Sequence, residues 1–165
     1  KLAKVYCTSW SEELGRDYQQ DVVGGNGDLF EAEDFNRIAH LQYEQDLKAL
    51  RSANKVCFFD TDAVVTAFFS KVFSGEVASR VASFIAPEKY DLVIALKPTV
   101  PWVADGMREL SEQKVRDLSF EQLMNLYRQY GFDTDKFCIV DAPEYYQRLE
   151  ACINAAEQLL NPSLV

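Results

Sequence analysis

Three short apolar runs constrain the fold of this chain more than any other feature. They occupy residues 56–59, 92–96 and 137–140, and within each the apolar residues follow one another without alternation. Such a pattern is typical of a strand that is buried on both faces, as in the middle of a parallel sheet. We therefore predict that these runs are central strands. Residues 5–10 are a weaker candidate for a fourth strand.

Between the runs, apolar residues recur at the spacing of an α-helix. In chain order the three stripes are Phe35, Ile38, Ala39, Leu41, Leu47 and Leu50; Phe120, Leu123, Met124 and Tyr127; and Leu149, Ile153, Ala156 and Leu160. Strands alternating with helices predict a three-layer α/β fold, a parallel sheet flanked by helices with right-handed crossovers. No break is long enough to divide the chain, so residues 1–165 are expected to form one domain.

The charge balance argues against two classes of partner. The 165 residues include 17 Lys and Arg against 26 Asp and Glu, a net charge of −9. Such a chain repels phosphate groups except at a locally basic pocket, so we expect neither nucleic acid nor a membrane surface as partner. No apolar run approaches the roughly 18 residues that a membrane span needs. Nothing at the start of the sequence resembles a secretion signal, so a cytoplasmic location is expected.

The cysteines and the histidine give little indication of chemistry. Cys7, Cys57, Cys138 and Cys152 form no CxxC pair and have no histidine at metal-ligand spacing. We interpret them as buried free thiols. The one histidine, His40, stands in a predicted helix, and no serine or cysteine lies in a nucleophile elbow. A hydrolase triad is therefore not expected, and His40 is interpreted as structural or as bordering a substrate.

Each apolar run is followed by a charged residue. These residues are Asp60, Lys97 and Asp141. Because α/β folds bind ligands at the carboxyl edge of the sheet, this edge is where we expect the site. Asp60-Thr61-Asp62 is the most informative of the three, since carboxylates at a strand end can hold Mg²⁺ beside the phosphates of a nucleotide. The alternative is that Thr61 or Asp62 caps a helix starting near Ala63.

A cationic segment follows the second run. Residues 102–108 (WVADGMR) are continued by Lys114 and Arg116. The planar fork of an arginine matches phosphate oxygens, so this cluster could bind an anion in an otherwise acidic chain. The alternative is a solvated helical face with surface ion pairs, in which Trp102 anchors the core.

Two segments near the start of the chain complete the candidates. Residues 12–18 (EELGRDY) are acidic, and a carboxylate among them could accept a proton from a substrate hydroxyl; the alternative is a solvent-facing helix start. Residues 24–27 (GGNG) look like a phosphate loop. However, no glycine of the chain is followed by lysine, so the GxxxxGK[ST] motif is absent and we predict a flexible turn.

In this order the segments resemble the nicotinamide riboside kinase domain of NadR-type bifunctional proteins, a P-loop kinase. The matching stretches are residues 13–18 (ELGRDY), 58–62 (FFDTD), 102–108 (WVADGMR) with Arg116 behind it, and 141–149 (DAPEYYQRL). Together they span nearly the whole chain, and the Trp-Val-x-Asp-Gly-x-Arg element is the most specific. The resemblance implies phosphorylation of nicotinamide riboside to nicotinamide mononucleotide, with ATP and Mg²⁺ as cofactors.

The resemblance also implies roles for individual residues. Those implied as catalytic are Glu13, Asp60 and Arg108, of which Asp60 also holds Mg²⁺. Those implied to bind the substrate are Arg16, Asp62, Trp102 and Asp105. Those implied to bind the phosphates of the nucleotide are Arg108 and Arg116. Abundant aromatic residues in an acidic protein suit a cationic pyridinium ring.

One feature of that family is missing from this sequence. Its members begin with a strand and a Walker loop, whereas this chain opens with residues 1–4 (KLAK), which resemble the end of the helix after that loop. We expect either a fragment or a member that lost the loop, and favour the fragment, because an α/β sheet would not readily lose a central strand. The chain by itself is expected to be inactive, since nothing holds the β- and γ-phosphates. An adenylyltransferase domain accompanies the kinase domain in the family.

Two other functions stay open at this point. One is a different small-molecule kinase of the same fold, such as a deoxynucleoside kinase. The other is a non-catalytic regulatory α/β domain of the receiver kind, which also carries an aspartate and a lysine at strand ends. A receiver needs an acidic pair on its first strand, well before the strand that ends in Asp60, and this order is not seen.

We predict different kinetic effects for Trp102 and Arg108 in the full-length protein. Trp102→Leu should raise KM for nicotinamide riboside more than for ATP, because leucine loses a cation–π attraction of about 0.5–2 kcal/mol. Arg108→Lys keeps the charge and loses the planar fork, so its main effect should fall on turnover or on the use of ATP. Steady-state kinetics with each substrate varied in turn measure both effects. Unchanged constants in a less stable protein would contradict this site.

Overall fold

The predicted alternation of strands and helices is present in the computed structural model, which describes residues 1–101 and 113–161. The strands are β1 (Trp10–Ser11), β2 (Phe58–Phe59), β3 (Val93–Leu96) and β4 (Phe137–Val140). The α-helices are α1 (Leu2–Val5), α2 (Gly15–Asp21), α3 (Ala32–Arg51), α4 (Ala63–Ser74), α5 (Gln113–Gln129) and α6 (Tyr145–Leu160). Short 3-10 helices cover Gly27–Leu29, Val81–Phe84, Pro87–Lys89 and Thr134–Lys136. The paired strands are parallel and helices pack on them, which confirms the α/β class.

Within residues 1–101 and 113–161, no helix is long and apolar enough to cross a bilayer.

Residues 3–85 belong to the first of two compact units. Its sheet pairs β1 with β2, with Trp10 beside Phe58 and Ser11 beside Phe59. Helix α3 packs against β1 and against α4. The aromatic part of this core is centred on Phe30, whose ring centroid lies 5.0 Å from that of Phe35 and 5.7 Å from that of Phe73.

Two side-chain hydroxyls in the chain before β1 form hydrogen bonds with the segment before β2 and with the end of α3. Thr8 Oγ1 donates to the carbonyl of Val56 at 2.5 Å and accepts from the amide of Asn54 at 2.8 Å. Ser9 Oγ donates to the carbonyl of Ala49, at the end of α3, at 2.6 Å. Strands of two residues form few main-chain hydrogen bonds. The hydroxyls of Thr8 and Ser9 add side-chain hydrogen bonds from the chain before β1 to the segment before β2 and to the end of α3.

Helix α3 begins with a capping box formed by Glu31 and Asp34, each of whose side chains accepts from the backbone of the other. The predicted apolar stripe on this helix is wrong at Leu41 and Leu50, which are 43% and 44% exposed. The reason is that polar residues occupy part of the buried face. That face carries Phe35, Asn36, Ile38, Ala39, Gln42, Asp46 and Ala49. Since neighbours on a helix are turned by about 100°, the residue before Gln42 points away from the core.

The second unit begins at Ala86. Strands β3 and β4 pair in register, from Val93 beside Phe137 to Leu96 beside Val140. Helix α6 packs against both strands. Tyr127 of α5 meets the ring of Phe132 edge to face at 4.9 Å between centroids, and both are buried. The helical stripes predicted for α5 and α6 are thus placed as expected, with Met124, Tyr127 and Ala156 in the core.

The structure corrects two strand predictions. The runs predicted to be buried on both faces are half-buried: Ile139 is 50% exposed, whereas Val140 beside it is 3% exposed. Successive side chains of a strand point to opposite faces, so the face of β4 opposite Val140 is open to solvent at Ile139. In addition, residues 5–10 do not form the predicted strand, because α1 extends to Val5 and β1 starts at Trp10.

All four cysteines are free, as predicted. The prediction that they are buried is confirmed for Cys152 and wrong for Cys7, which is exposed; Cys57 and Cys138 are half-buried. The apolar runs that contain Cys57 and Cys138 are themselves only half-buried, which explains their partial exposure.

We predict that Ser70→Ala destabilises the protein by about 1–3 kcal/mol. Ser70 is fully buried, and its hydroxyl donates to the carbonyl of Glu76 at 2.8 Å and accepts from the amide of Ala78 at 2.9 Å. Alanine would leave that buried amide without its acceptor. The control is Ser83→Ala, which removes an exposed hydroxyl bonded to a carbonyl and should cost less than about 0.5 kcal/mol. Denaturant unfolding compares the two, and equal losses would contradict the prediction.

Candidate active site at the carboxyl ends of β1 and β2

The parallel register of β1 and β2 brings two of the predicted segments to one edge. The amide of Asp60 donates to the carbonyl of Ser11 at 3.0 Å, which continues the pairing by one step beyond the strands. Glu13 therefore leaves β1 next to the point at which Asp60 leaves β2. This edge lies within the first unit and is the candidate active site.

Glu13 and Arg16, which the sequence assigns to the same site, form an ion pair. The Nε atom of Arg16 lies 3.1 Å from Oε2 of Glu13, and their side chains are 45% and 28% exposed. Arg16 occupies the first turn of α2, so the helix start predicted as the alternative for this segment is present as well. The pair places a carboxylate and a planar cation side by side at the edge of the sheet.

Asp60 follows β2 directly and is exposed to solvent. Mg²⁺ in kinases is typically held by one or two carboxylates, with phosphate oxygens and water supplying the remaining ligands. An accessible carboxylate at a strand end fits that requirement. In residues 1–101 and 113–161 no group of three His, Cys, Asp or Glu side chains could hold a metal ion, so a site built from protein ligands alone is not present there.

Asp62 caps helix α4. Its Oδ1 accepts from the amides of Val64 at 2.9 Å and Val65 at 3.1 Å, and the residue is 7% exposed. The capping alternative is therefore confirmed for Asp62, and α4 begins at Ala63 as predicted. The cap also directs the chain after Asp60 into the helix.

A buried polar network that the sequence analysis missed lies behind Glu13. Ser11 Oγ donates to Oδ1 of Asp46 at 2.7 Å, and Nε2 of Gln42 lies 2.9 Å from Ser11 Oγ and 3.1 Å from that same carboxylate oxygen. All three residues are at most 5% exposed. The signal that could have found them is their position: Gln42 and Asp46 stand at helical spacing within the core-facing stripe of α3, where apolar residues are the rule.

The second unit has its own charged edge, at the carboxyl ends of β3 and β4. Nζ of Lys97 lies 2.7 Å from Oδ2 of Asp141. The hydrogen bond from Lys97 holds the pKa of Asp141 below its usual value, and the same bond raises the pKa of Lys97. Arg148 donates to Thr99 Oγ1 at 3.3 Å and to the carbonyl of Ala142 at 3.1 Å. Two of the charged strand ends predicted as site residues are thus paired with each other.

Arg116 lies on α5 in the second unit. Its Nη2 donates to the carbonyl of Val100 at 3.2 Å and to the side chain of Gln113. Among the residues that the structure describes, Nε of Arg116 has no hydrogen-bond partner although it is buried. Three other predicted site residues fall outside the described residues. They are Trp102, Asp105 and Arg108.

Two further predictions concern the loop and the histidine. Gly24 and Gly25 lie in a turn as predicted, with φ of +65° and +82°, whereas Gly27 already begins a 3-10 helix. Both values lie in the left-handed region that favours glycine. His40 is exposed on α3, with Nε2 3.6 Å from Glu44 Oε1.

Comparison with known proteins identifies the family to which the chain belongs. The sequence matches the AAA domain family over residues 1–148. This chain belongs to that family. The match covers both units and includes Glu13, Asp60, Asp62 and Arg116.

This AAA domain is also similar to NadR proteins and to solved structures of NadR. The trifunctional NAD biosynthesis/regulator proteins NadR of Salmonella typhimurium and Escherichia coli are each 33% identical to it over 162 residues, which is 97% of the chain and 38% of each relative. The chain thus spans well under half the length of these relatives. A crystal structure of NadR with NAD and AMP-PNP superposes with a TM-score of 0.78 at 25% identity, covering 96% of this chain and 44% of the other.

A second crystal structure, of NadR in complex with NR, gives the same TM-score of 0.78 at 25% identity and covers 97% of this chain and 46% of the other. The resemblance to the NadR-type domain, and the P-loop-kinase-like α/β fold that it implies, are confirmed.

We predict that Asp62→Ala destabilises the protein by about 0.5–2 kcal/mol and that Asp62→Asn changes stability by less than about 1 kcal/mol. Asparagine keeps an oxygen for the amides of Val64 and Val65, whereas alanine has none. Thermal unfolding of both variants measures the difference. Asp60→Ala is the control, because Asp60 is exposed and caps no helix. Equal losses for the two Asp62 variants would show that the charge, and not the cap, is required.

Proposed function

We propose that the full-length protein transfers the γ-phosphoryl group of ATP to the 5′-hydroxyl of nicotinamide riboside, forming nicotinamide mononucleotide. The observation that carries the proposal is the placement of Glu13 and Asp60 at the same carboxyl edge of β1 and β2, in a chain of the NadR type. It is supported by the solved NadR complexes with NR and with AMP-PNP.

In the proposed reaction Glu13 accepts the proton of the substrate hydroxyl. The 5′-oxygen then forms a bond to the γ-phosphorus as the bond to the β-γ bridging oxygen breaks, and ADP leaves. Phosphoryl transfer asks mainly for positioning and charge stabilisation, so one acceptor at the right place is sufficient. The ion pair with Arg16 orients the carboxylate of Glu13.

The remaining roles are proposed from the NadR resemblance. Asp60 would hold Mg²⁺, which when bound neutralises charge on the β- and γ-phosphates. Arg108 and Arg116 would contact phosphate oxygens. Trp102 would face the pyridinium ring.

Two further residues, Arg16 and Asp105, would contact the substrate. Asp62, which caps α4, is also proposed to contact the substrate.

The substrate is tested by competition. The full-length protein is given ATP and equal concentrations of nicotinamide riboside and a deoxynucleoside, and the phosphorylated products are separated and counted. We expect nicotinamide mononucleotide as the main product. Preference for the deoxynucleoside would assign the protein to a different small-molecule kinase, and no phosphorylation of either would favour a regulatory domain.

We predict that Asp60→Asn lowers turnover by several orders of magnitude while the free energy of unfolding changes by less than about 1 kcal/mol. Asparagine is nearly isosteric but lacks the charge that a divalent cation requires. Asp21→Asn, an exposed substitution at the end of α2, is the matched control and should leave turnover unchanged. Preserved turnover in Asp60→Asn would remove Asp60 from the site.

A further inference from the structure

Gln42 bonds to the backbone on both sides of Glu13. Its Nε2 donates to the carbonyl of Glu12 at 3.0 Å, and its Oε1 accepts from the amide of Leu14 at 3.2 Å. These two groups belong to the peptide planes that precede and follow Glu13. Each peptide unit is rigid, so two bonds from one amide restrict both backbone dihedrals of Glu13.

The surroundings of Gln42 fix which way its amide points. Nε2 faces three acceptors: the carbonyl of Glu12, the hydroxyl of Ser11 and the carboxylate of Asp46. A reversed amide would direct Oε1 at a carbonyl and a carboxylate, neither of which donates a hydrogen bond. The hydroxyl of Ser11 is itself oriented, because it donates to Asp46. The network therefore holds the amide in the one orientation that suits both sides of Glu13.

A neighbouring glutamine provides a natural comparison. Gln45 Nε2 also donates to the carbonyl of Glu12 at 3.0 Å, but from the exposed side of the helix. No bond is described from Gln45 to Leu14. Of these two bonds, Gln45 thus makes only the one to the carbonyl of Glu12. Gln42 bonds from within the core to the peptides on both sides of Glu13.

We propose that Gln42, oriented by Ser11 and Asp46, is a positioning residue for Glu13. The inference rests on the proposed phosphoryl transfer, in which Glu13 accepts the proton of the substrate. In that reaction the carboxylate must lie within hydrogen-bond reach of the substrate hydroxyl, and a displacement of about 1 Å can cost about 100-fold in rate. The amide of Gln42 sets the backbone from which the carboxylate projects.

The first experiment compares Gln42→Met with Gln45→Met in the full-length protein. Gln42→Met keeps most of the side-chain volume and loses both bonds, so kcat should fall by about 10- to 100-fold with KM for ATP unchanged. Gln45→Met should leave kcat within about twofold of the unsubstituted value, because the hydrogen bond from Gln42 to the carbonyl of Glu12 remains. Equal effects of the two variants, or a change in KM for ATP as large as that in kcat, would overturn the proposal.

The second experiment asks whether Gln42 acts through Glu13. If it does, Gln42→Met should lower kcat in the unsubstituted background and have no further effect in the Glu13→Gln background. Multiplicative losses in the double variant would show that Gln42 acts independently, and the proposal would be wrong. Should Gln42→Met fail to fold, Ser11→Ala takes its place, since it removes a hydroxyl that orients the amide. It should show a smaller loss that again vanishes when Glu13 is replaced.

A third measurement does not depend on catalysis. Hydrogen exchange of the Leu14 amide should be at least about tenfold faster in Gln42→Met and unchanged in Gln45→Met. If the unsubstituted protein fails to phosphorylate nicotinamide riboside but the exchange responds as stated, the kinase proposal is wrong and the backbone restraint stands. If phosphorylation occurs but Leu14 exchange is unaffected by Gln42→Met, the restraint is wrong and the kinase proposal stands.

Discussion

The candidate site depends on the parallel pairing of two strands that are each two residues long. Pairing of Ser11 with Phe59, continued by the amide of Asp60, sets the carboxylates of Glu13 and Asp60 at one edge. Such short strands contribute little stability by themselves. The hydroxyls of Thr8 and Ser9 extend the connection towards β2 and the end of α3, so the geometry of the edge depends on side chains as much as on the sheet.

The buried network on α3 has a specific effect on this pairing. A slip of one residue would turn every side chain of β1 to the opposite face. Ser11 would then leave Asp46, and Trp10, which is 46% exposed, would move inwards. Asp46 and Gln42 would lose a partner inside the core, where an unsatisfied polar group is costly. The network thus favours one register over its neighbours, although apolar residues could fill the same volume.

Much of the fold was predictable because its signals are local. Continuous apolar runs marked β2, β3 and β4, and the side chain of Asp62 indicated the start of α4. Strand β1 was misplaced, at residues 5–10, since two residues carry no periodicity. Pairing of β1 with β2 was not predictable either, because an apolar run does not specify its neighbour.

The site was predictable in part for a related reason. Glu13, Arg16 and Asp60 stood out as charged residues near strand ends or in a recognisable motif. Gln42 did not, because a helical stripe is recognised from its apolar residues and a glutamine does not contribute to that pattern. A polar residue within such a stripe is the signal that was overlooked, since burial of an amide requires partners that the surrounding sequence must supply.

The unequal exposure of the cysteines has a practical consequence. Burial raises the pKa of the thiols of Cys57 and Cys152 above the ordinary value, which reduces the thiolate that reacts with electrophiles. Cys7 is exposed, between α1 and β1, in a left-handed backbone conformation with φ of +49°. A maleimide dye at neutral pH therefore meets Cys7 first. The protein carries its own attachment point for a fluorescent reporter, a few residues before the strand that leads to Glu13.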